Sequence, residues 1–427
     1  MLESFAMSAS TASLDSPRRD AEVITLVGLA HGTSHFFHLL LPPLFPWLMP
    51  QFGLSYTEAG LLMTVFFVVS GIGQALAGFI VDRAGARPVL FFGVGTLASS
   101  ALVLGLAQDY AMLLAAAAIA GLGNSIFHPA DFTLLNRKVS APRLGHAFSV
   151  HGLTGNLGWA AAPVFMAGIA AAAGWQAAAF AAAALGFAVL GLLVLRRHSL
   201  DEHETAAAVG RGEAAGGTDG TGAGQLAFLR VGAVWVCFMF FFFSTGALSI
   251  LQNYGPAVLG KAYGLSLVLA TAGLTAYLLG SAAGMVAGGF IAARRGDSDR
   301  VIAAALGASA TVALLLAAGW MPGWMVLPLM AAMGFGVGCA GPSRDLLVRK
   351  AAMTRFGKTS YGRVYGFVYS GLDVGFAAVP LVVGPMLDAG QYNLALVGVA
   401  LMQVAALLGA LRVGQGVRAA PGAAVAS

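Results

Sequence analysis

The sequence predicts an all-α membrane protein in which twelve transmembrane helices form two pseudo-symmetric bundles of six. Composition is the first reason: of 427 residues, 58% are hydrophobic and only 10% are charged, whereas a soluble domain carries about 25% charged residues. Length is the second reason, because twelve apolar segments reach the roughly 20 residues that a helix needs to cross a bilayer. These segments, spans 1 to 12, lie near 22–49, 57–81, 88–107, 110–135, 146–172, 174–195, 231–254, 264–293, 301–320, 324–347, 363–387 and 393–413.

An internal duplication is the third reason, and it supplies the pseudo-symmetry. Three phrases of the first half recur in the same order in the second half, at separations of 211, 213 and 217 residues. Duplicated halves in so apolar a chain are typical of transporters whose halves rock around a shared central site. The paired phrases are 77–91 with 288–302, 121–129 with 334–342, and 158–163 with 375–380.

One long polar stretch divides the chain between spans 6 and 7. It is rich in Gly, Ala and charged residues and has no apolar periodicity, which is typical of a flexible linker. We therefore predict a cytoplasmic tail at 1–20, a six-helix bundle at 21–197, a cytoplasmic linker at 198–227, a second bundle at 228–413 and a cytoplasmic tail at 414–427.

The basic residues predict the orientation in the membrane. With the N-terminus inside, nearly all of the 23 Lys and Arg fall on the cytoplasmic side; Lys261 falls outside and Arg344 falls within a span. This is the positive-inside pattern, with both termini cytoplasmic in a bacterial inner membrane. This pattern also explains the net charge of +5, so no nucleic-acid partner is expected. The expected partners are the lipid bilayer, a small-molecule substrate and protons, and we expect the protein to be a monomer.

Enzyme and cofactor motifs are missing from the sequence. There is no phosphate-binding G-x-x-x-x-G-K-[ST] and no nucleophile elbow, so we predict no cofactor and no enzymatic activity. Cys237 and Cys339 both lie in apolar segments, so neither a disulfide nor a metal site is expected from them.

The loop between spans 2 and 3 carries the spacing G-x-x-x-D-R-x-G-x-R, formed by Gly78, Asp82, Arg83, Gly85 and Arg87. A glycine at the first position lets two helices approach closely, and the second glycine permits a tight turn. The charges at the membrane edge can pair with neighbouring helix ends. We expect this loop to close one side of the protein in one conformation and to release it in the other.

The second half repeats this loop in part: Gly289, Arg294 and Gly296 are kept, and Ala293 replaces the Asp. With twelve spans, duplicated halves and a long central loop, the chain resembles the major facilitator superfamily, whose signature this loop is. The resemblance implies two six-helix bundles with a substrate path between them. The Arg that the superfamily usually has in span 4 is missing, and Ala117 stands there.

A narrower similarity is to the fosmidomycin-resistance subgroup, which are proton-driven efflux pumps. That subgroup usually has Asn-Asp in span 1 and F-H-P-E in span 4, where this chain has Ser34-His35 and Phe127–Ala130, so an acid is lost at both places. Four stretches carry the similarity: His31 followed by Pro42–Pro46, Gly53–Leu62, Gly123–Pro129 and Gly155–Pro163.

Span 1 carries three histidines on one helical face, because His31, His35 and His38 are spaced i, i+4 and i+7. Ionisable residues inside a bilayer are costly and usually functional, and histidine changes charge near neutral pH. We expect the stripe to bind or relay a proton, with His35 near the middle of the span; the alternative is a set of neutral packing residues. A zinc site is the weaker alternative, because three histidines on one helix make a poor tetrahedron.

Span 4 carries a second polar face, formed by Asn124, His128 and Asp131. Asp131 is either an acid that titrates during transport or one partner of a gate, because Arg344 stands at the matching place in span 10. Arg344 could instead hold an anionic substrate. His146 and His151, near the start of span 5, are not expected to contribute.

Span 11 carries Tyr365, Tyr369 and Asp373 at steps of four, and Asp373 corresponds to Asn156 in the repeat. A carboxylate in the middle of a membrane is the strongest proton site after His35; the alternative is a hydrogen bond to a tyrosine at the interface between halves. The full set of substrate-binding candidates is Arg344, Asn124, Asn156, Gln252, Asn253, Tyr365 and Tyr369.

Three functions remain open on these residues. The leading hypothesis is a proton-coupled efflux antiporter of a small molecule that works by alternating access. The second is a proton-coupled uptake symporter of an organic anion, anchored by Arg344. The third is a membrane scaffold or sensor that kept the fold without transporting.

Overall fold

The computed structural model describes residues 2–201, 230–294, 297–356 and 361–418, and the regular structure in these ranges is helical throughout. Twelve segments in them are long and apolar enough to cross a membrane, which confirms the predicted fold class. The helices are Leu2–His38 and Phe45–Phe52 (span 1), Tyr56–Ala84 (span 2), Ala86–Gly105 (span 3), Tyr110–Asn124 and Phe127–Lys138 (span 4), Leu144–Ala173 (span 5), Trp175–Leu195 (span 6), Gly232–Tyr263 (span 7), Leu267–Arg294 (span 8), Ser298–Ala318 (span 9), Val326–Phe356 (span 10), Tyr361–Asp388 (span 11) and Tyr392–Arg418 (span 12).

Both ends of the first half extend beyond the bundle predicted at 21–197. The first helix begins at Leu2, within the predicted tail, and the buried Asp20 accepts a hydrogen bond from Nη1 of Arg143 at 2.8 Å. Of the predicted linker, 202–227 lies outside the described residues, but Asp201 forms an ion pair with Arg87 at 2.8 Å. The linker therefore leaves the first bundle only after its first residues have packed against it.

The duplication in the sequence appears as repeated glycine contacts. A Cβ added at Gly121 in span 4 would overlap the carbonyl oxygen of Phe66 in span 2. A Cβ added at Gly334 in span 10 would overlap the carbonyl oxygen of Tyr277 in span 8. Since 213 and 211 residues separate the two pairs, the same close backbone approach is built twice, once in each half. Small residues permit such approach between membrane helices.

The two halves meet along two equivalent seams, span 2 on span 11 and span 5 on span 8. In the first seam the rings of Phe67 and Phe376 stack at 4.4 Å, and Oγ1 of Thr64 donates to the carbonyl oxygen of Ala377 at 2.8 Å. In the second, Nδ2 of Asn156 lies 3.6 Å from Sδ of Met285. The pseudo-symmetry of the halves therefore extends to the interface between them.

One end of the first seam is closed by Asp388, at the C-terminal end of span 11. Its Oδ1 accepts a hydrogen bond from the backbone N–H of Tyr56 at 2.7 Å, and its Oδ2 accepts one from that of Thr57 at 3.0 Å. The hydroxyl of Thr57 donates to the same carboxylate. A side chain of the second half thus caps the first turn of span 2. We call this end of the molecule the far end.

The opposite end carries the loop between spans 2 and 3, and we call it the motif end. Gly85 has φ 84° and ψ 152°, a backbone conformation open essentially to glycine alone, so the predicted tight turn forms there. A Cβ added at Gly78 or at Gly289 would meet no described atom within 4 Å, and both Asp82 and Arg83 are exposed. The close helix approach predicted for Gly78 is thus not made in this conformation. Arg294 is exposed at the end of span 8, and Gly296 lies outside the described residues.

Candidate transport site

Spans 1, 4 and 5 together build a buried polar cluster in the first half. Span 4 breaks between Asn124 and Phe127, and Pro129 falls in the first turn of its second helix, where a proline is tolerated because its missing N–H has no helical partner. This break displaces the second helix from the first. It carries His128 and Asp131 towards span 1.

Close packing of span 5 on span 1 completes the cluster. A Cβ added at Gly158 would overlap the carbonyl oxygen of Gly32, and one added at Gly155 would lie 2.8 Å from the His35 ring. Only glycine allows the helices to lie so close. As a result the rings of His31 and His151 stack with centroids 3.5 Å apart.

Asp131 stands at the centre of this cluster and is fully buried. Its Oδ2 lies 3.0 Å from Nε2 of His151, with which it forms a hydrogen bond, and 3.1 Å from Nδ1 of His31. His128, one turn before Asp131, has its ring 5.4 Å from that of His31. Both of these close contacts of the carboxylate are made within the first half.

His151 is the residue that sequence reasoning missed. The signal was available, because His151 stands four residues before Gly155 and eight before Trp159, and this spacing places all three on one helical face. That face is the one that packs against the histidines of span 1. Gly155, lying between His151 and Trp159 on this face, therefore indicated where span 5 packs closely against span 1.

His38 belongs to a hydrogen-bonded chain rather than to the stacked histidines. Nε1 of Trp159 donates to Nδ1 of His38 at 3.2 Å, and Nε2 of His38 lies 2.8 Å from Oδ1 of Asn124. Since an indole N–H only donates, Nδ1 of His38 is an acceptor and its proton is on Nε2, which makes the ring neutral. Nδ2 of Asn124 in turn donates to the hydroxyl of Ser70 at 2.8 Å. One network of hydrogen bonds therefore joins spans 5, 1, 4 and 2.

His35 lies between these two groups. Its ring stacks on the indole of Trp159 at 4.2 Å and on the ring of His38 at 4.9 Å, and it is tilted against that of His31 at 4.4 Å. Its Nδ1 is buried and makes no hydrogen bond with any residue that the structure describes. The three histidines of span 1 therefore lie side by side on one face of the helix, and each has a different environment.

The second half places the opposite charge at the equivalent position. The guanidinium carbon of Arg344 lies 5.1 Å from the centroid of the Phe241 ring, a cation–π distance. Phe241, which follows His31 by 210 residues, also contacts the ring of Tyr369 at 4.5 Å. In this conformation the acid lies against histidines of its own half, and the guanidinium lies over an aromatic ring of the other; the pair of Asp131 with Arg344 stays a prediction.

Asp373 lies at the seam between span 11 and span 2. A Cβ added at Gly71 would come within 3.2 Å of Cβ of Asp373, so the acid uses the space that the glycine leaves. Its carboxylate makes no hydrogen bond or ion pair with any residue in the described part of the chain. Of the tyrosines offered as hydrogen-bond partners for Asp373, Tyr369 has its ring 4.5 Å from that of Phe241, and the side chain of Tyr365 lies outside the described part; that alternative stays a prediction.

The polar residues Gln252 and Asn253 of span 7 are also buried. Nδ2 of Asn253 donates to the hydroxyl of Ser249 at 3.1 Å in the same helix, and Nε2 of Gln252 is buried without a hydrogen-bond partner among the described residues. Asn253 thus satisfies its own helix. Gln252 keeps an unused donor.

The sequence profile of the Major Facilitator Superfamily matches residues 27–380. The chain belongs to the major facilitator superfamily. It is a multi-pass membrane protein with twelve candidate spans and, like the family it belongs to, not an enzyme.

Individual relatives agree with this assignment. The chain is 27% identical over 165 residues to the fosmidomycin resistance protein of Escherichia coli (strain K12), a match covering 39% of this chain and 40% of that protein. It is 23% identical over 382 residues to the membrane sensor protein UhpC of Escherichia coli (strain K12), covering 84% of each. A bacterial homolog of the human lysosomal transporter Spinster, solved in an inward-facing and unoccupied conformation, has the same fold with a TM-score of 0.67 at 15% identity, over 93% of this chain and 96% of that one.

Proposed function

We propose that this member of the superfamily is a proton-coupled exporter of a small molecule in a bacterial inner membrane, with both termini in the cytoplasm. The observation that carries the proposal is Asp373, a carboxylate without a described partner at the seam where the two halves move against each other. The similarity to a fosmidomycin resistance protein, limited to about 40% of its length, supports export.

The position of Asp373 suits coupling for an electrostatic reason. An unpaired carboxylate within a bilayer is costly, and binding a proton removes its charge. At a seam that opens and closes, the cost differs between the two conformations, because the carboxylate is surrounded by protein in one and by water in the other. A proton bound in one state and released in the other ties proton movement to alternating access.

The conformation described here corresponds to an inward-facing state under this proposal. The far end is joined across the halves by Asp388, and at the motif end Gly78 contacts no described residue of the other half. If the motif end is cytoplasmic, as the basic residues predict, the path is closed outside. The loop between spans 2 and 3 is then in its released position.

His35 was the other candidate for the proton, and the proposal does not depend on it. It lies among closely stacked rings, where two positive charges would repel each other strongly. We propose that His38 positions Trp159 and Asn124 through its two hydrogen bonds. We assign Arg344 to substrate, since a guanidinium binds an anionic group and the ring of Phe241 beside it offers an apolar surface to an amphiphile.

The test is internal pH in proteoliposomes that hold the purified protein, measured while small anions, drugs and amphiphiles are added one at a time. The wild-type protein is expected to change internal pH with at least one compound, and the sign of the change separates antiport from symport. In Asp373→Asn the pH change should be lost while exchange of radiolabelled substrate continues. Asp297→Asn is the matched control, because that carboxylate of the second half is exposed and paired with Arg300 at 3.3 Å. Equal proton movement in Asp373→Asn and wild type would refute the assignment.

A sensor is the second candidate, because a relative that matches over 84% of its length is named a membrane sensor protein. In that case the substrate would bind without net movement. The same proteoliposomes decide, since a sensor shows saturable binding of a compound with neither accumulation nor pH change.

A further inference from the structure

We propose that His31, His128 and His151, together with Asp131, form a binding site for a divalent first-row transition-metal ion. One nitrogen of each histidine can be chosen so that all three lie within 4.8 Å of one another. The proposal is independent of the proton coupling assigned to Asp373.

The four residues come from three different spans, which is what a metal site needs. The sequence argued against zinc because three histidines on one helix make a poor tetrahedron. The structure assembles a different set: one histidine from span 1, a histidine and an aspartate from the second helix of span 4, and a histidine from span 5. Ligands that converge from several directions can surround an ion.

The atoms that would bind the ion have unused capacity. Nδ1 of His128 and Oδ1 of Asp131 are buried and make no hydrogen bond with a described residue, and the 3.1 Å approach of Nδ1 of His31 to Oδ2 of Asp131 does not meet the geometry of a hydrogen bond. Unsatisfied buried polar atoms are rare and point to a missing partner. A histidine binds a metal as the neutral imidazole, through a ring nitrogen that carries no proton.

The side chains have to rotate before their ligand atoms converge on one ion. Zinc binds histidine nitrogen at about 2.0–2.1 Å, so ligands in a tetrahedron are separated by about 3.4 Å. Rotations that move ring atoms by about 1 Å bring the observed separations to this value. The rings of His31 and His151, stacked at 3.5 Å, have to turn apart so that their lone pairs converge. Asp131, already 3.0 Å from His151 and 3.1 Å from His31, supplies the negative charge.

The donor set also selects the class of ion. Three nitrogens and one carboxylate suit zinc, nickel, cobalt or copper, whereas calcium and magnesium prefer a shell of oxygen ligands. Aromatic rings surround the cluster: Phe132 lies 5.1 Å from His151 and 5.7 Å from His128. All four ligands belong to the first half, so a bound ion does not link the two halves. The halves can still move against each other during alternating access.

The experiment titrates cobalt into the purified, tag-free full-length protein in detergent and follows its visible absorption, since four-coordinate cobalt absorbs far more strongly than cobalt in water. We expect one cobalt per chain with four-coordinate bands, and displacement by zinc. Fluorescence of Trp159, which stacks on His35, should change in the same titration.

Variants assign the ligands. In His31→Gln, His128→Gln and His151→Gln the affinity for cobalt should fall about tenfold or more. His146→Gln is the matched control, because this histidine lies in the same helix as His151 but is exposed, and its affinity should equal that of wild type. Absence of saturable four-coordinate cobalt in the wild-type protein overturns the proposal without any variant, as does an equal loss of affinity in His146→Gln.

Discussion

Removal of the carboxylate of Asp388 should shift the protein towards a conformation open at the far end. This side chain accepts hydrogen bonds from the backbone N–H groups of Tyr56 and Thr57, at 2.7 and 3.0 Å, and so caps span 2 from the other half. Parting of the halves at the far end breaks these bonds. The variant Asp388→Ala loses them in the closed state only, because in the open state they are already broken.

The size of the shift follows from the energetics of helix caps. Replacing a capping carboxylate by alanine costs about 0.5–2 kcal/mol. Asp388 is exposed, so competition from water leaves about 1 kcal/mol of this range. Since 1.4 kcal/mol corresponds to a factor of ten, the ratio of open to closed protein should rise about fivefold.

Distances between two spin labels across the far end measure this ratio. Gln176, in the first turn of span 6, and Gln391, between spans 11 and 12, are both exposed. They can carry the labels after the buried Cys237 and Cys339 are changed to serine. The long-distance population should grow about fivefold in Asp388→Ala and less in Asp388→Asn, which keeps one oxygen acceptor.

A matched control separates gating from helix stability. Asp109 caps its helix within the first half alone, its Oδ1 accepting from the N–H of Met112 at 2.9 Å. Asp109→Ala should lower thermal stability by a similar free energy and leave the distance distribution unchanged. If Asp388→Ala also leaves the distribution unchanged, or if both variants shift it alike, Asp388 does not hold the far end closed.

Two further predictions concern packing and the polar network. Gly121→Ala should lower the unfolding temperature in detergent, because its Cβ would overlap the carbonyl oxygen of Phe66 and overpacking costs about 1–3 kcal/mol. Gly168→Ala is the control and should be neutral, because no described atom lies within 4 Å of its Cβ. Equal unfolding temperatures of the two variants would contradict the assigned contact. His38→Phe keeps an aromatic ring but removes both hydrogen bonds, so the emission of Trp159 should shift when it is measured with the other five tryptophans replaced by phenylalanine. An unchanged spectrum of that protein would contradict the bond to Nδ1 of His38.

The residues of the candidate site were largely visible in the sequence, but their partners were not. Spacing alone placed His31, His35 and His38 on one face, and the repeat alone matched Asp131 with Arg344. The gate pair that the repeat offered between these two charges stays a prediction, because a repeat alignment states which positions are equivalent and not which ones touch. In each half the equivalent position contacts its own neighbours.

What the sequence determined by itself is the class of molecule: composition requires a bilayer, segment length sets twelve spans, and duplicated phrases require two similar halves. These properties depend on the local composition of each segment, on its length and on the repeat of sequence phrases, and all three are visible in the sequence without knowledge of which residues touch. Which side chains meet was decided by the tertiary structure alone. The break in span 4, the glycine contact of span 5 with span 1, and the capping of span 2 by Asp388 bring together residues that are 20 to more than 300 positions apart, and such contacts are set by how helices pack rather than by any period in the sequence.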